Sequence, residues 1–368
     1  MSEKLRVGIL GATGMVGQRF ITLLENHPWF EITTLAASAS SAGKTYEESV
    51  GARWKMDTPM PDSVKKMIIK NVSDVEDTVR DVDFVFSAVN MSKDEIRAIE
   101  EEYAKTETPV VSNNSAHRWT PDVPMVIPEI NPEHFEVIAS QKKRLGTTRG
   151  FIAVKPNCSI QSYTPALAAW KAFEPTDVVV STYQAISGAG KTFRDWPEME
   201  ANIIPYISGE EEKSEQEPLR VFGRVKDGVI EPLKGDLRIT SQCIRVPVLN
   251  GHTATVFLNF KKSPTKEELI DALRNFSGKP QEFGLPQEKQ LPSAPKQFIQ
   301  YLEEDNRPQV QLDVDYEGGM GVSIGRLRED SIFDWKFVGL SHNTLRGAAG
   351  GAVECAEMLK ALGYITAK

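Results

Sequence analysis

Cys158 stands in the run FIAVKPNCSIQSYTPALAAW, where an apolar stretch of strand type meets a Pro-Asn turn and then a helical stretch. A thiol at such a junction lies near backbone N–H groups, whose partial positive charge favours the attacking thiolate. Those amides, with the Asn157 side chain, are placed to form an oxyanion hole. Thr164-Pro165 also reads as an N-cap and first helical residue, so Cys158 falls either at the start of the long helix or on a short turn before it. Most cysteines are small apolar filler, and the other two, Cys243 and Cys355, fit that description among strand-like and helix-like residues. The polar neighbours Asn157, Ser159 and Gln161 set Cys158 apart as a nucleophile.

A nucleophilic thiol needs a proton partner, and there are five histidines. His27, His117 and His134 fall in loops or polar connections, and His342 precedes the last helical stretch. His252, in RVPVLNGHTATVFL, follows a glycine turn and opens an apolar strand, a placement that projects an imidazole into a cleft. With no CxxC pair and no dense Cys/His spacing, neither a disulfide framework nor a metal site is expected.

A second chemical signal opens the chain. RVGILGATGMVGQRFITLLEN places Gly11, Gly14 and Gly17 between a strand and an amphipathic helix. Glycines there let a backbone approach a pyrophosphate, and the amides of the helix start face the anion. A site preferring NAD ends its second strand with an acid that binds the ribose hydroxyls. Here that strand ends AASASSAGK, where Ser38, Ser40, Ser41 and Lys44 offer hydroxyls and one positive charge to a 2′-phosphate, so NADP is expected.

These residues need elements to hold them. Between residues 5 and 120, uninterrupted apolar runs (LRVGIL, FEITTLAA, DFVFSAV) alternate with helical stretches, which implies a parallel sheet covered on both faces: a Rossmann-like, doubly wound α/β domain. Beyond a boundary near Arg149-Gly150, longer alternating runs such as DVVVSTYQAIS and HTATVFLNF indicate an α+β domain with a mixed sheet. The expected division is 1–150 for dinucleotide binding, completed by one C-terminal helix over 345–368, and 151–344 for catalysis and oligomerisation. Residues 278–309, rich in Pro, Gln and Glu, read as mostly loop.

Hydrophobic residues at 40% and charged residues at 26% are ordinary globular values, and the formal charge of -8 argues against nucleic-acid or anionic-membrane partners. No signal-peptide pattern and no apolar stretch of bilayer length is visible, so a cytoplasmic protein acting on a small molecule is expected.

Taken together, GATGMVGQRF, SNNSAHRW, PNCS, YQAISGAGK, GEEEK, RVPV followed by GH, and SHNTLRGAAGG resemble the aspartate-β-semialdehyde dehydrogenase family, in the branch typical of archaea and fungi. The resemblance runs from Gly8 to about residue 355. It implies that Cys158 attacks an acyl phosphate, with His252 as acid/base and Gln184 orienting the acyl group. Arg245 is implied to pair with the substrate α-carboxylate and Glu210 with the α-ammonium. Lys213, Arg118 and Asn157 are implied to bind phosphate. Thr13, Gly14, Met15, Val16, Ser87, Ser187, Gly188 and Asn343 match cofactor contacts. A homodimer or homotetramer built on the second domain is also implied. Ser40 stands where this branch often has arginine, which makes secondary use of NAD credible. Two rivals share parts of this reading: a malonyl-CoA reductase using the same cysteine and NADPH, and an NADP-binding redox sensor without turnover.

Overall fold

A computed structural model describes residues 4–283 and 291–368. The first six strands, β1 (Leu5–Leu10), β2 (Phe30–Ala37), β3 (Lys70–Asn71), β4 (Phe84–Ser87), β5 (Val110–Ser112) and β6 (Ile152–Val154), form one sheet in the order β3-β2-β1-β4-β5-β6. Every pairing in it is parallel. Strand order reverses between β1 and β4, and ligands of such sheets bind outside the carboxyl ends of the strands at that point. Helix α1 (Met15–Leu24) follows β1 and buries Phe20, Ile21 and Leu24, as its amphipathic spacing requires. Helix α2 (Lys93–Lys105) starts with a capping box between Ser92 and Glu95.

β6 lies past the expected boundary at Arg149-Gly150 yet completes the first sheet, so the division moves to about residue 155. The reason is hydrogen bonding: Val110 to Ser112 have a free edge, and Ile152 to Val154 pair with it.

The second sheet contains β7 (Pro175–Gln184), β10 (Arg238–Arg245), β11 (His252–Phe260), β12 (Ile299–Leu302), β13 (Val322–Glu329) and β14 (Trp335–Ser341), after a small hairpin of β8 (Arg224–Lys226) and β9 (Val229–Glu231). Its order is β10-β7-β11-β14-β13-β12, with parallel pairs at both edges and antiparallel pairs between. Buried and half-buried residues alternate along all of β11 and along β7 from Asp177 onward. The buried face carries Val178, Val180, Ala254, Val256 and Leu258 into one core with Trp170 and Phe337. Helix α3 (Glu210–Val221) packs against β10. Part of 278–309 is the strand β12, which pairs with β13 and was not legible in a run dense in Pro and Gln; residues 284–290 of that expected loop lie outside the described residues.

The C-terminal stretch is not one helix over 345–368. Residues 345–349 wind as a π-helical turn that leaves helical geometry at Ala348 (φ −143°, ψ −109°), and helix α4 then runs Gly350–Ala361. Gly363, at φ +80°, ends it in the left-handed conformation favoured just past a helix. Ala352, Val353, Ala356 and Leu359 of α4 share a core with Val7, Phe20 and Phe86 of the first sheet region.

Candidate active site

A cleft of about 250 Å³ opens where the two sheets meet. The start of α1 supplies Met15, Val16 and Arg19, and the loop after β5 supplies Asn113, Asn114, Ser115 and Arg118. Asn157 and Cys158 face the cleft with Ser187 and Gly188, which follow β7. Glu210 and Lys213 come from α3, and Asn343, Thr344, Gly347 and Ala348 from the turn before α4. Residues far apart in sequence converge because β7 and β14 end, and β11 begins, at one place.

Cys158 precedes a short 3₁₀ turn, Ser159–Ser162, and not the helix that starts at Thr164, which settles the two placements left open above. Its Sγ lies 3.4 Å from His252 Nε2. The other ring nitrogen, Nδ1, accepts the Ala185 N–H at 3.0 Å. An Nδ1 that accepts carries no proton, so the neutral ring has its hydrogen on Nε2, pointing at the sulfur. Burial, reinforced by the Arg245 guanidinium, lowers His252 to about 3, so the ring is neutral at physiological pH.

Two of the backbone amides expected to favour the thiolate are already engaged. The Asn157 N–H donates to Glu217 Oε2 at 2.5 Å and the Ser159 N–H to Asn157 Oδ1 at 2.7 Å, so neither is free for the sulfur or an oxyanion. Burial, then the nearby Glu210 carboxylate, raise Cys158 to about 11 against the pull of Lys155, Arg118 and Arg245. A value raised that far favours the protonated sulfur at physiological pH.

Helix α3 turns its Glu210–Lys213 edge to the cleft, as the three-residue spacing requires. Glu210 Oε1 accepts from Lys213 Nζ at 2.7 Å, and both of its oxygens accept from Asn157 Nδ2 at 3.1 Å. Burial pushes Glu210 up, but Lys213 and Asn157 outweigh it and hold the group below the usual carboxylate range, hence ionised. The Asn157 side chain is therefore engaged with Glu210 and Ser159. Arg245 donates from Nη1 to the Ala185 carbonyl at 2.6 Å and lies just behind Gly188, where a Cβ would stand 3.0 Å from that Nη1 and 3.3 Å from the His252 ring. Gln184, next to Arg245 in the β7–β10 register, is buried with its amide donating to Thr182 Oγ1 at 3.1 Å.

The three glycines of the first loop divide the work. Gly11 (φ +82°) and Gly17 are required by packing, since a Cβ on either would lie 2.3 Å from a carbonyl oxygen. Gly14, the N-cap of α1, is less crowded, since a Cβ there would lie 3.6 Å from the Gly11 carbonyl oxygen, and among the described residues no side chain caps the helix start, which opens beside the cleft residues Met15 and Val16. Ser38, Ser40 and Lys44 are exposed at the end of β2, with Ser38 Oγ 3.0 Å from Ser40 Oγ and Lys44 Nζ donating to the Ser40 carbonyl at 2.9 Å. Ser41 is buried and departs from the expected set. Ser87 is buried too, its hydroxyl accepting from Asn114 Nδ2 at 3.1 Å, so it supports a cleft residue from behind. Asn343 Nδ2 donates to Ser187 Oγ at 2.8 Å, and its Oδ1 accepts the Gly251 N–H at 2.8 Å, tying the turn before α4 to the one before His252. An uncapped helix start, a less crowded Gly14 and exposed hydroxyls at the β2 end fit a phosphorylated dinucleotide.

Several residues escaped sequence reasoning. Gly347 lies where a Cβ would stand 2.9 Å from Cys158 Cβ, so the π-turn backs the nucleophile directly. Arg346 pins that turn, donating to both oxygens of Glu129 (2.9 and 2.7 Å), to Glu354 (2.7 Å) and to the Met320 carbonyl (2.7 Å), all within the core. Lys155 is buried beneath the site and lowered by burial to about 7. Glu217, hidden in a charged helical run, carried one usable signal: it lies seven residues after Glu210 and four after Lys213, on the same helix face.

Residues 6–138 match the family model for the semialdehyde dehydrogenase NAD-binding domain, and residues 165–346 the model for the semialdehyde dehydrogenase dimerisation domain. An aspartate-semialdehyde dehydrogenase of Methanothermobacter thermautotrophicus is 44% identical, covering 96% of this chain and 99% of its own. One of Aspergillus fumigatus is 41% identical over 98% of this chain and 99% of its own. Among solved structures, the aspartate semialdehyde dehydrogenase of Candida albicans with NADP superposes with a TM-score of 0.86 at 38% identity, covering 99% of this chain and all of that one. With both family models placed on the two sheets and Cys158 facing His252 between them, this chain belongs to the aspartate-semialdehyde dehydrogenase family.

Proposed function

We propose that the chain catalyses the NADPH-dependent reductive dephosphorylation of L-aspartyl 4-phosphate to L-aspartate 4-semialdehyde, a step in making lysine, threonine, methionine and isoleucine. The observation that carries this reading is the Cys158–His252 pair at 3.4 Å in a cleft that also holds Glu210, Lys213 and Arg118. The Cys158 thiol gives up its proton and its sulfur attacks the acyl carbon, the bond to phosphate breaks with phosphate leaving and carrying a proton away, and a thioester forms on Sγ. NADPH, when bound, would supply the hydride that reduces the thioester carbon, after which the C–S bond breaks to release the aldehyde and return the sulfur. His252, as an Nε2–H donor, gives its hydrogen bond to the sulfur and to oxygen charge developing beside it. Glu210 takes the substrate α-ammonium, and Arg245 the α-carboxylate through its planar fork. Lys213 and Arg118 bind the phosphoryl group, with Asn157 holding Glu210 in place. Gln184 orients the acyl group from the buried face of β7.

Gly11, Thr13, Gly14, Met15, Val16, Gly17, Ser187, Gly188 and Asn343 form the nicotinamide and pyrophosphate side of the cofactor site, and Ser38, Ser40 and Lys44 its 2′-phosphate side. Because Lys44 is the one cation on that turn, NAD serves as a secondary cofactor. The archaeal and fungal relatives support placement in that branch. The half-buried face of β7 and β11 supports a homodimer or a homotetramer built on the second domain, and three free thiols support a cytoplasmic setting.

The test is spectrophotometric: purified protein, aspartate semialdehyde, phosphate, and either NADP or NAD. Strictly phosphate-dependent reduction of NADP, faster than that of NAD, is expected. Faster NADPH oxidation with malonyl-CoA than with aspartyl phosphate would overturn the substrate assignment.

A further inference from the structure

Helix α3 contributes more to the site than its first turn. Its face toward Cys158 continues from Glu210 and Lys213 through Ser214 to Glu217, the i, i+3, i+4, i+7 series of one helical stripe. Ser214 Oγ meets Ser159 Oγ at 2.9 Å. Glu217 is 1% exposed, and its two oxygens have separate partners. Oε1 accepts from Arg118 Nη1 at 2.9 Å, and Oε2 accepts the Asn157 backbone N–H at 2.5 Å.

We infer that Glu217 is a positioning residue, a single carboxylate that aims the Arg118 guanidinium into the cleft while fixing the backbone of the nucleophile turn. The inference rests on the reading that Arg118 binds phosphate. Arg118 has five N–H groups. Nε is used by the Lys155 carbonyl at 2.9 Å, one on Nη1 by Glu217, and one on Nη2 by the Asn113 carbonyl at 3.4 Å. Among the described residues, one N–H on each terminal nitrogen is left for an anion. Of the three anchors only Glu217 pairs the guanidinium with an acceptor of opposite charge, so it is the strongest hold on the orientation of the fork. The same carboxylate ties that fork to Asn157, the residue before the nucleophile. Phosphate and sulfur are thus held in one frame, as displacement of phosphate by sulfur demands.

A merely structural ion pair would affect stability and every kinetic constant alike. The positioning role predicts a split, read in the direction that consumes aldehyde and phosphate. In Glu217→Gln, KM for phosphate rises roughly tenfold or more while KM for aspartate semialdehyde moves less than twofold. Glu217→Asp, which keeps the charge, recovers part of that loss. Where Glu217→Gln folds poorly, Glu217→Asp alone still reads the ratio of the two KM values. Combining Glu217→Gln with Arg118→Gln adds little to the phosphate KM of Arg118→Gln if Glu217 acts through Arg118. Full additivity, or an unchanged phosphate KM in both Glu217 variants, overturns the inference. A wild-type enzyme with no phosphate dependence overturns the parent reading instead.

Discussion

Alkylation of Cys158 by iodoacetamide reads its thiolate directly, because the other two thiols, Cys243 and Cys355, are fully buried. Burial and Glu210 raise Cys158 from 9.0 to about 11, so below pH 9 it carries roughly a hundredfold less thiolate than an ordinary cysteine. The alkylation rate should therefore climb about tenfold per pH unit between pH 7 and 10 without a plateau. His252 does not change this: lowered to about 3, it offers no imidazolium to stabilise the thiolate at neutral pH. Two variants carry opposite signs. Glu210→Gln removes a negative charge that raises the thiol and should speed alkylation at pH 8, whereas Lys155→Met removes a charge that Lys155, lowered to about 7, carries mainly below pH 7, and should slow alkylation at pH 6 more than at pH 8. A pH-independent plateau reaching down to pH 6, as an imidazolium–thiolate pair produces, would refute the reasoning, and so would slower alkylation in Glu210→Gln.

Arg346→Met leaves Glu129 and Glu354 as buried carboxylates without their cation, and should cost about 3–5 kcal/mol in the denaturant midpoint analysis; a loss under 1 kcal/mol would show that the turn does not depend on this triad. His134 is a buried imidazole lowered by desolvation to about 4, so the folded state binds fewer protons than the unfolded state, where the group sits near 6.5. Its contribution is whole above the unfolded value and is lost as pH falls toward 4, roughly 2 kcal/mol by pH 5. His134→Gln should accordingly flatten the fall in Tm between pH 7.5 and pH 5, and an unchanged slope would contradict this.

The first sheet was legible because its strands are buried on both faces and read as unbroken apolar runs, and because the loop at Gly11 to Gly17 is local in sequence. The second sheet was legible in kind from the alternation in β7 and β11, but its edge was not: β12 pairs through only four residues, set in a stretch dense in Pro, Gln and Glu. The break at Ala348 was hidden for a different reason. Ala and Gly at helical spacing suit a regular helix, and the π-turn arises from tertiary demands, namely the Arg346 bonds to Glu129 and the approach of Gly347 to Cys158. The same distinction separates the site residues. Cys158 and His252 announced themselves by context, whereas Glu217 and Lys155 matter through partners that only the fold brings near.

The direction of the His252 hydrogen bond constrains how the nucleophile is activated. A ring whose Nδ1 is occupied by the Ala185 N–H has no lone pair at Nε2 to accept the thiol proton, so it serves as a donor to charge already formed. The thiolate must then come from a change in surrounding charge, and Glu210 is the influence, next after burial, that keeps the sulfur protonated. If Glu210 takes the substrate ammonium as proposed, docking cancels that influence while Arg118 and Arg245 continue to favour the anion. Under that proposal binding and activation are coupled through one carboxylate, and an acyl donor without an ammonium group forfeits the coupling. Alkylation of Cys158 should therefore quicken when a small ammonium compound fills the Glu210 side of the cleft and leaves the sulfur exposed.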